Sequence, residues 1–198
     1  SRRPRNSDIP AAANDQTIQA DLELPLSNTS VTFRNDNPAH ALTLGKVHGY
    51  TTAGATKSVY VQGTGPIALQ GDLDRYLSGL VVYHQTANTL TLNGDTKLTQ
   101  LYLDGTNAVL SIASGKTMTF SNVGGENIIA SQNATINGPG SITLSASTGG
   151  DNANNAVATG KTLTINARLT GAAGFEYWHG SYYGTIALNG ANDFAGSM

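Results

Sequence analysis

The sequence predicts an all-β chain wound as a coil of short strands, a β-helix or solenoid. Three observations predict it. First, one short phrase recurs: Thr89-Leu90-Thr91-Leu92, Thr117-Met118-Thr119-Phe120, Ser141-Ile142-Thr143-Leu144, Thr162-Leu163-Thr164-Ile165 and Thr185-Ile186-Ala187-Leu188. Its period-two alternation puts the apolar side chains on one face of a strand and mostly Thr or Ser on the other. Strands this short, numerous and similar point to a coiled repeat. Second, Asx-Gly pairs close the apolar runs at Leu92-Asn93-Gly94, Leu103-Asp104-Gly105, Ile136-Asn137-Gly138 and Leu188-Asn189-Gly190. Such pairs support positive φ and a sharp corner. Third, the 198 residues are only 39% apolar and 12% charged, against roughly 45–50% and about 25% in ordinary domains. The polar residues are Thr, Asn, Ser and Gly, which suit strands and turns rather than disorder. Many turns around a narrow core account for the deficit.

Taken in order, residues 1–15 read as a flexible basic tail. Arg2, Arg3 and Arg5 place +3 in its first five residues, leaving −5 for the remainder of a chain whose net charge is −2. An arm that docks on an acidic neighbouring subunit is the functional alternative. Residues 16–198 read as a single β-helix domain. Alternation begins at Thr17-Ile18-Gln19-Ala20-Asp21-Leu22. It continues through Ser30-Val31-Thr32-Phe33, Ala41-Leu42-Thr43-Leu44, Ser58-Val59-Tyr60-Val61 and Pro66-Ile67-Ala68-Leu69.

One segment departs from the pattern. Leu73, Tyr76, Leu77, Leu80 and Val81 have helical spacing behind Asp72 as an N-cap. Gly79 interrupts that spacing and Val81-Val82-Tyr83 favours a strand, so a short helical or loop excursion is expected near 72–80. From residue 88 the pattern is regular. Ser114-Gly115-Lys116-Thr117-Met118-Thr119-Phe120 returns as Thr159-Gly160-Lys161-Thr162-Leu163-Thr164-Ile165, a separation of 45 residues. That spacing predicts two coils of roughly twenty residues each. In such a coil, like residues stack on the coil above, Asn and Thr included. Each end is an open edge that needs a cap or a partner. Asn192-Asp193-Phe194-Ala195-Gly196-Ser197-Met198 shows no cap pattern, which predicts further coils or a stacked subunit. In an antiparallel sandwich the same Asx-Gly pairs would be hairpins, so that architecture stays open.

Composition excludes several functions. With no cysteine, disulfides and Cys-ligated metals are out. A net charge of −2 argues against a general nucleic-acid binder. No apolar run approaches the ~20 residues of a transmembrane helix. No signal-peptide pattern is present and Ser1 opens the chain, the expectation for a processed or trimmed product.

Residues 158–167 (Ala-Thr-Gly-Lys-Thr-Leu-Thr-Ile-Asn-Ala), 169–175 (Leu-Thr-Gly-Ala-Ala-Gly-Phe) and 184–196 (Gly-Thr-Ile-Ala-Leu-Asn-Gly-Ala-Asn-Asp-Phe-Ala-Gly) together resemble the autotransporter-associated β-strand repeat. That repeat is a Gly-rich strand phrase, a Gly-x-Gly break, then a strand closed by L-x-G-x-N-x-[YF]-x-G. The likeness is good over about 155–198 and looser over 88–150, and the first 85 residues share only its style. It implies a right-handed parallel β-helix from the passenger of a bacterial autotransporter or another large surface protein, located outside the cell or on its surface. It implies no catalytic residue and no cofactor, because the repeat is a scaffold. One stretch departs from it. Phe175-Glu176-Tyr177-Trp178-His179-Gly180-Ser181-Tyr182-Tyr183 replaces a short turn and holds five of the thirteen aromatics, the only Trp among them.

That loop is the leading binding candidate. Tyr177, Trp178, Tyr182 and Tyr183 offer ring faces for sugars or a protein, with Glu176 and His179 as polar partners. The plainer reading is that these rings pack over the adjacent coil. Asp72 and Asp74 would share a strand face, as paired catalytic carboxylates do, but a helical Asp72 would be a cap. Asp95, Asp104, Glu126, Asp151 and Glu176 look scattered. His40, His48, His84 and His179 show no ligand spacing, although His40 and His48 could meet across adjacent strands. Gly-Lys-Thr at 115–117 and 160–162 lacks the first Gly of a phosphate loop, Leu110 and Asn155 standing there. The formal glycosylation sequons at Asn28 and Asn133 are no more than chance allows in a chain rich in Asn and Thr.

The sequence therefore leads to a non-catalytic, extracellular structural or adhesive module with no metal. Its expected partners are further copies, stacked end to end into fibres, and a surface glycan or host matrix protein. The alternative is a carbohydrate-active β-helix, tailspike-like or lyase-like, acting on polysaccharide.

Overall fold

The computed structural model describes residues 14–20, 22–24, 30–49, 56–71, 73–74, 79–120, 126–145, 153–177 and 182–195. Their strands form three parallel sheets. Sheet A stacks β1 (Gln16–Ile18), β4 (Leu42–Leu44), β7 (Ile67–Leu69), β10 (Thr89–Leu92), β13 (Ala108–Ile112), β16 (Ala134–Asn137), β19 (Thr162–Ile165) and β22 (Thr185–Leu188). Sheet B stacks β2 (Leu22–Leu24), β5 (Val47–Gly49), β8 (Leu73–Asp74), β11 (Thr96–Leu98), β14 (Thr117–Phe120), β17 (Ser141–Leu144) and β20 (Arg168–Gly171). Sheet C stacks β3 (Ser30–Arg34), β6 (Thr56–Gln62), β9 (Gly79–His84), β12 (Gln100–Leu103), β15 (Glu126–Ala130), β18 (Ala153–Val157) and β21 (Phe175–Tyr177).

Every ladder is parallel and joins strands three apart in sequence order. The chain is a parallel β-helix, each coil giving one strand to each sheet in turn. The Asx-Gly pairs are corners between sheets, and the antiparallel sandwich is excluded.

Alternation builds the core. The recurrent phrases β10, β14, β17 and β19 each bury their apolar pair and leave Thr or Ser outside. Inward residues stack in columns: Thr96, Met118, Ile142 and Leu169 form one in sheet B, and Leu98, Phe120 and Leu144 another. One continuous core runs from Leu44 to Phe175. Corner amides ladder too. Asn189 Nδ2 donates to Asn166 Oδ1 at 2.9 Å, and Asn166 Nδ2 to Asn137 Oδ1 at 2.6 Å.

Two expectations need correction. Leu73–Asp74 and Gly79–His84 are strands, not helix; Asp72 and residues 75–78, where the loop form of the excursion falls, lie outside the described residues. The pleat, not the 3.6 period, governs here, because Leu73 continues the Val47 column and Val82 the Val59 column. The 45-residue echo is not two coils either. Thr117–Phe120 belongs to sheet B and Thr162–Ile165 to sheet A. The column Leu90, Leu110, Ile136, Ile165, Leu188 steps by 20, 26, 29 and 23 residues. The echo is a shared corner. Lys116 N donates to Ala113 O at 3.1 Å and Lys161 N to Ala158 O at 2.9 Å. Gly115 and Gly160 take φ of 70° and 72°. These Gly-Lys-Thr runs are turns leading into strands.

Candidate functional site

Among the described residues, the aromatics other than Phe120 lie on sheet C or at the upper end of the coil. On the outer face of sheet C, Thr32, Tyr60, Tyr83, Tyr102, Ile129 and Ala156 share one register column. Parallel strands set like side chains about 4.7–4.9 Å apart. The rings stack accordingly: Tyr60–Tyr83 at 4.6 Å and 8°, Tyr83–Tyr102 at 4.5 Å and 12°. The inner ring faces are covered by one another, so the row offers edges and hydroxyls outward. Burial first, and then neighbouring Tyr60 and Asp104, push the Tyr83 phenol up. Burial, Tyr83, Glu126, Tyr182 and Asp104 do the same to Tyr102. Two carboxylates and a loop tyrosine thus act on one phenol. Asp104 also accepts a hydrogen bond from Ser131 Oγ at 2.8 Å. Higher in the column Ile129 and Ala156 are buried although they point outward.

The loop candidates separate. Tyr177 falls in the inward column of Leu101, Ile128 and Asn155. Its hydroxyl lies 3.1 Å from the carbonyls of both Tyr182 and Gly184, which share its proton. Tyr177 therefore packs over the coil end, the plainer of the two readings. Glu176 is exposed on the outer side, in register with Asn154. Tyr182 comes within electrostatic reach of Tyr102, and Tyr183 is 68% exposed. Trp178 and His179 lie outside the described residues, as do Arg2, Arg3 and Arg5. The sequence reading missed Tyr60, Tyr83 and Tyr102. A signal was present: Val59-Tyr60-Val61-Gln62, Val82-Tyr83-His84-Gln85 and Leu101-Tyr102-Leu103-Asp104 share one pattern, hidden by unequal coil lengths.

At the upper end Phe175, Tyr177, Gly184, Thr185, Ile186 and Leu188 line an apolar groove of ≈ 580 Å³. The expected bare end is partly covered. Asp193 N donates to Leu169 O at 2.9 Å and Ala195 N to Gly171 O at 2.8 Å. Leu169 N donates to Asn192 Oδ1 at 2.8 Å. Residues 192–195 thus lie along β20. Phe194 packs tilted on Phe175 with centroids 6.5 Å apart. Arg168 pairs with Asp193, and that hydrogen-bonded pairing holds the Asp193 carboxyl below its usual value.

The other ionisable candidates stay apart. His40 sits by Asp15 Oδ1 at 3.2 Å, before β4, and His48 lies in β5, so the two do not meet. Asp74 pairs in register with His48 on sheet B, a different sheet from the tyrosines. His84 is fully buried. Among the described residues no group of His, Asp and Glu is arranged to hold a metal. No family model, curated protein or solved structure matches the chain.

Proposed function

We propose that the chain is a non-catalytic structural and adhesive β-helix module of a bacterial surface protein, working outside the cell. The observation that carries this reading is the tyrosine row on sheet C. Tyr60, Tyr83 and Tyr102 are held by three consecutive coils, and Tyr182 is among the groups that push the Tyr102 phenol up. A rigid row of aromatic edges and hydroxyls suits attachment to a glycan or a matrix protein, since aromatic anchors on a preordered scaffold lose little entropy on binding. The resemblance of residues 155–198 to the autotransporter-associated repeat supports the location.

The test is binding of the purified protein to immobilised bacterial glycans and matrix proteins. The double variant Tyr83→Ser, Tyr102→Ser should weaken capture about tenfold or more while the far-ultraviolet circular dichroism stays that of a β protein. Capture that the double variant leaves intact refutes the assignment. A second reading, a carbohydrate-active β-helix, draws support from Asp104 and Glu126, whose carboxylates both help push the Tyr102 phenol up. It predicts glycan cleavage that Asp104→Asn with Glu126→Gln abolishes.

A further inference from the structure

We propose that the upper edge of β21 is a strand-addition site for an extended peptide with an apolar–basic–apolar centre. The three sheets end unevenly. Sheet A carries an eighth strand, β22, and residues 192–195 lie over sheet B's last strand through two backbone hydrogen bonds. Among the described residues, sheet C ends at β21, which has a strand on one side only. The groove of ≈ 580 Å³ lined by Phe175, Tyr177, Ile186 and Leu188 lies beside that edge, between β21 and β22, where the inward side chains of an eighth strand of sheet C would sit.

A strand parallel to β21 would continue the ladder that β18 and β21 already form. Its inward side chains would stack over Phe175 and Tyr177 and against Ile186 and Leu188. The residue between them would project outward beside Glu176, which is exposed. Main-chain hydrogen bonds supply affinity in this mode, and alternate side-chain positions supply selectivity. The carboxylate of Glu176 selects a basic residue at the outward position. A second copy of the chain does not fit through its own sheet C edge. If its β3 lay on β21, its β1, the sheet A strand that opens the same coil, would occupy the place of β22. The site is separate from the outer tyrosine row and goes beyond the attachment role.

The probe is a short fluorescent peptide with a valine–lysine–valine centre, titrated against the whole chain and followed by anisotropy. Saturable binding is expected. Ile186→Glu should weaken it about tenfold or more. Glu176→Lys should weaken it too and improve binding of the valine–glutamate–valine counterpart. The double variant Tyr83→Ser, Tyr102→Ser should leave it unchanged, which separates this site from the tyrosine row. The proposal is overturned if no saturable binding occurs, if a composition-matched scrambled peptide binds equally, or if Glu176→Lys leaves the charge preference unaltered. Concentration-dependent oligomers that the peptide disperses would equally overturn it, in favour of a second copy as occupant.

Discussion

His84 holds an inward position otherwise filled by Phe33, Val61, Leu103, Ala130 and Val157. Asn88 explains how an imidazole is tolerated there. The Asn88 amide nitrogen donates to the carbonyls of Gly63 and Gly65, which leaves its oxygen to accept from Thr86 and from His84 Nε2. His84 is therefore the neutral Nε2–H tautomer, and its buried Nδ1 has no hydrogen-bond partner. Burial pushes its pKa down, against a smaller upward pull from Asn88. Above about pH 6.5 the folded and unfolded states are both neutral and this group adds no pH dependence. Below that the unfolded state takes up a proton the folded state refuses, so stability falls by up to about 1.4 kcal/mol per pH unit until the lowered folded pKa is reached. His84→Leu should match or exceed the parent at pH 7, since an unpaired buried acceptor is removed. It should pull ahead between pH 6.5 and 5, as urea denaturation at both values would reveal. A variant with the parent's slope would mean that another group governs acid sensitivity. Glycines give a second contrast. Gly115 and Gly138 both have positive φ, but a Cβ at Gly115 meets open space while one at Gly138 would sit 2.0 Å from Ile112 O. Gly115→Ala should cost about 1–2 kcal/mol, the left-handed penalty alone. Gly138→Ala should cost clearly more by the same denaturation measurement, because the corner must open.

At the scale of the strand, the tyrosine row couples coils beyond what the ladders, the core and the polar side-chain bonds between coils supply. Aromatic pairs add about 0.5–1.5 kcal/mol beyond their burial. Tyr83 stacks on both neighbours, and Tyr60 and Tyr102 on one each. Tyr83→Ala should therefore destabilise more than Tyr60→Ala or Tyr102→Ala. A Tyr60–Tyr83 double-mutant cycle should return a coupling of about 1 kcal/mol; additive losses would show that the rings merely lie side by side. The strands themselves were legible because alternation is local. Thr162-Leu163-Thr164-Ile165 needs nothing beyond itself to face its Leu and Ile inward. Sheet membership was not legible, because the Gly-Lys-Thr corner looks alike whether it leads into sheet B at 117 or sheet A at 162. Leu73 and Leu80 read as helix for a related reason: the spacing of apolar residues across a break between strands can imitate a helical period. Of the site, the sequence disclosed the loop aromatics by density, but not the tyrosine row on sheet C. Tyr60, Tyr83 and Tyr102 are separated by 23 and 19 residues, and only the coil makes them neighbours.

For the molecule as a whole, the parallel stack makes stability a chain of nearest-neighbour terms, each coil touching the one below and the one above. The best-filled stretch lies in the middle and upper coils. Leu98, Leu101, Leu103, Leu110, Ile112, Met118, Phe120, Ile136 and Ile142 are all nearly or wholly inaccessible. The first coil is thinner: Ile18 is 43% exposed, and Leu22, Val31 and Phe33 are only partly buried. Amide exchange should follow that gradient, slowest in β10 to β17 and fastest in β1 to β3, since local opening draws on the elements with least buried apolar surface. Phe120→Ala tests the linear picture. It removes a fully buried ring at a typical cost of about 3–5 kcal/mol, from a column shared with Leu98 below and Leu144 above. Nearest-neighbour coupling predicts that protection falls most in β11, β14 and β17 and fades within a coil or two on either side. A uniform loss of protection from β1 to β22 would instead mean that all the coils unfold as one unit. The end groove would then be no more labile than the centre, and a peptide seated on β21 would stabilise the whole chain rather than the last coil alone.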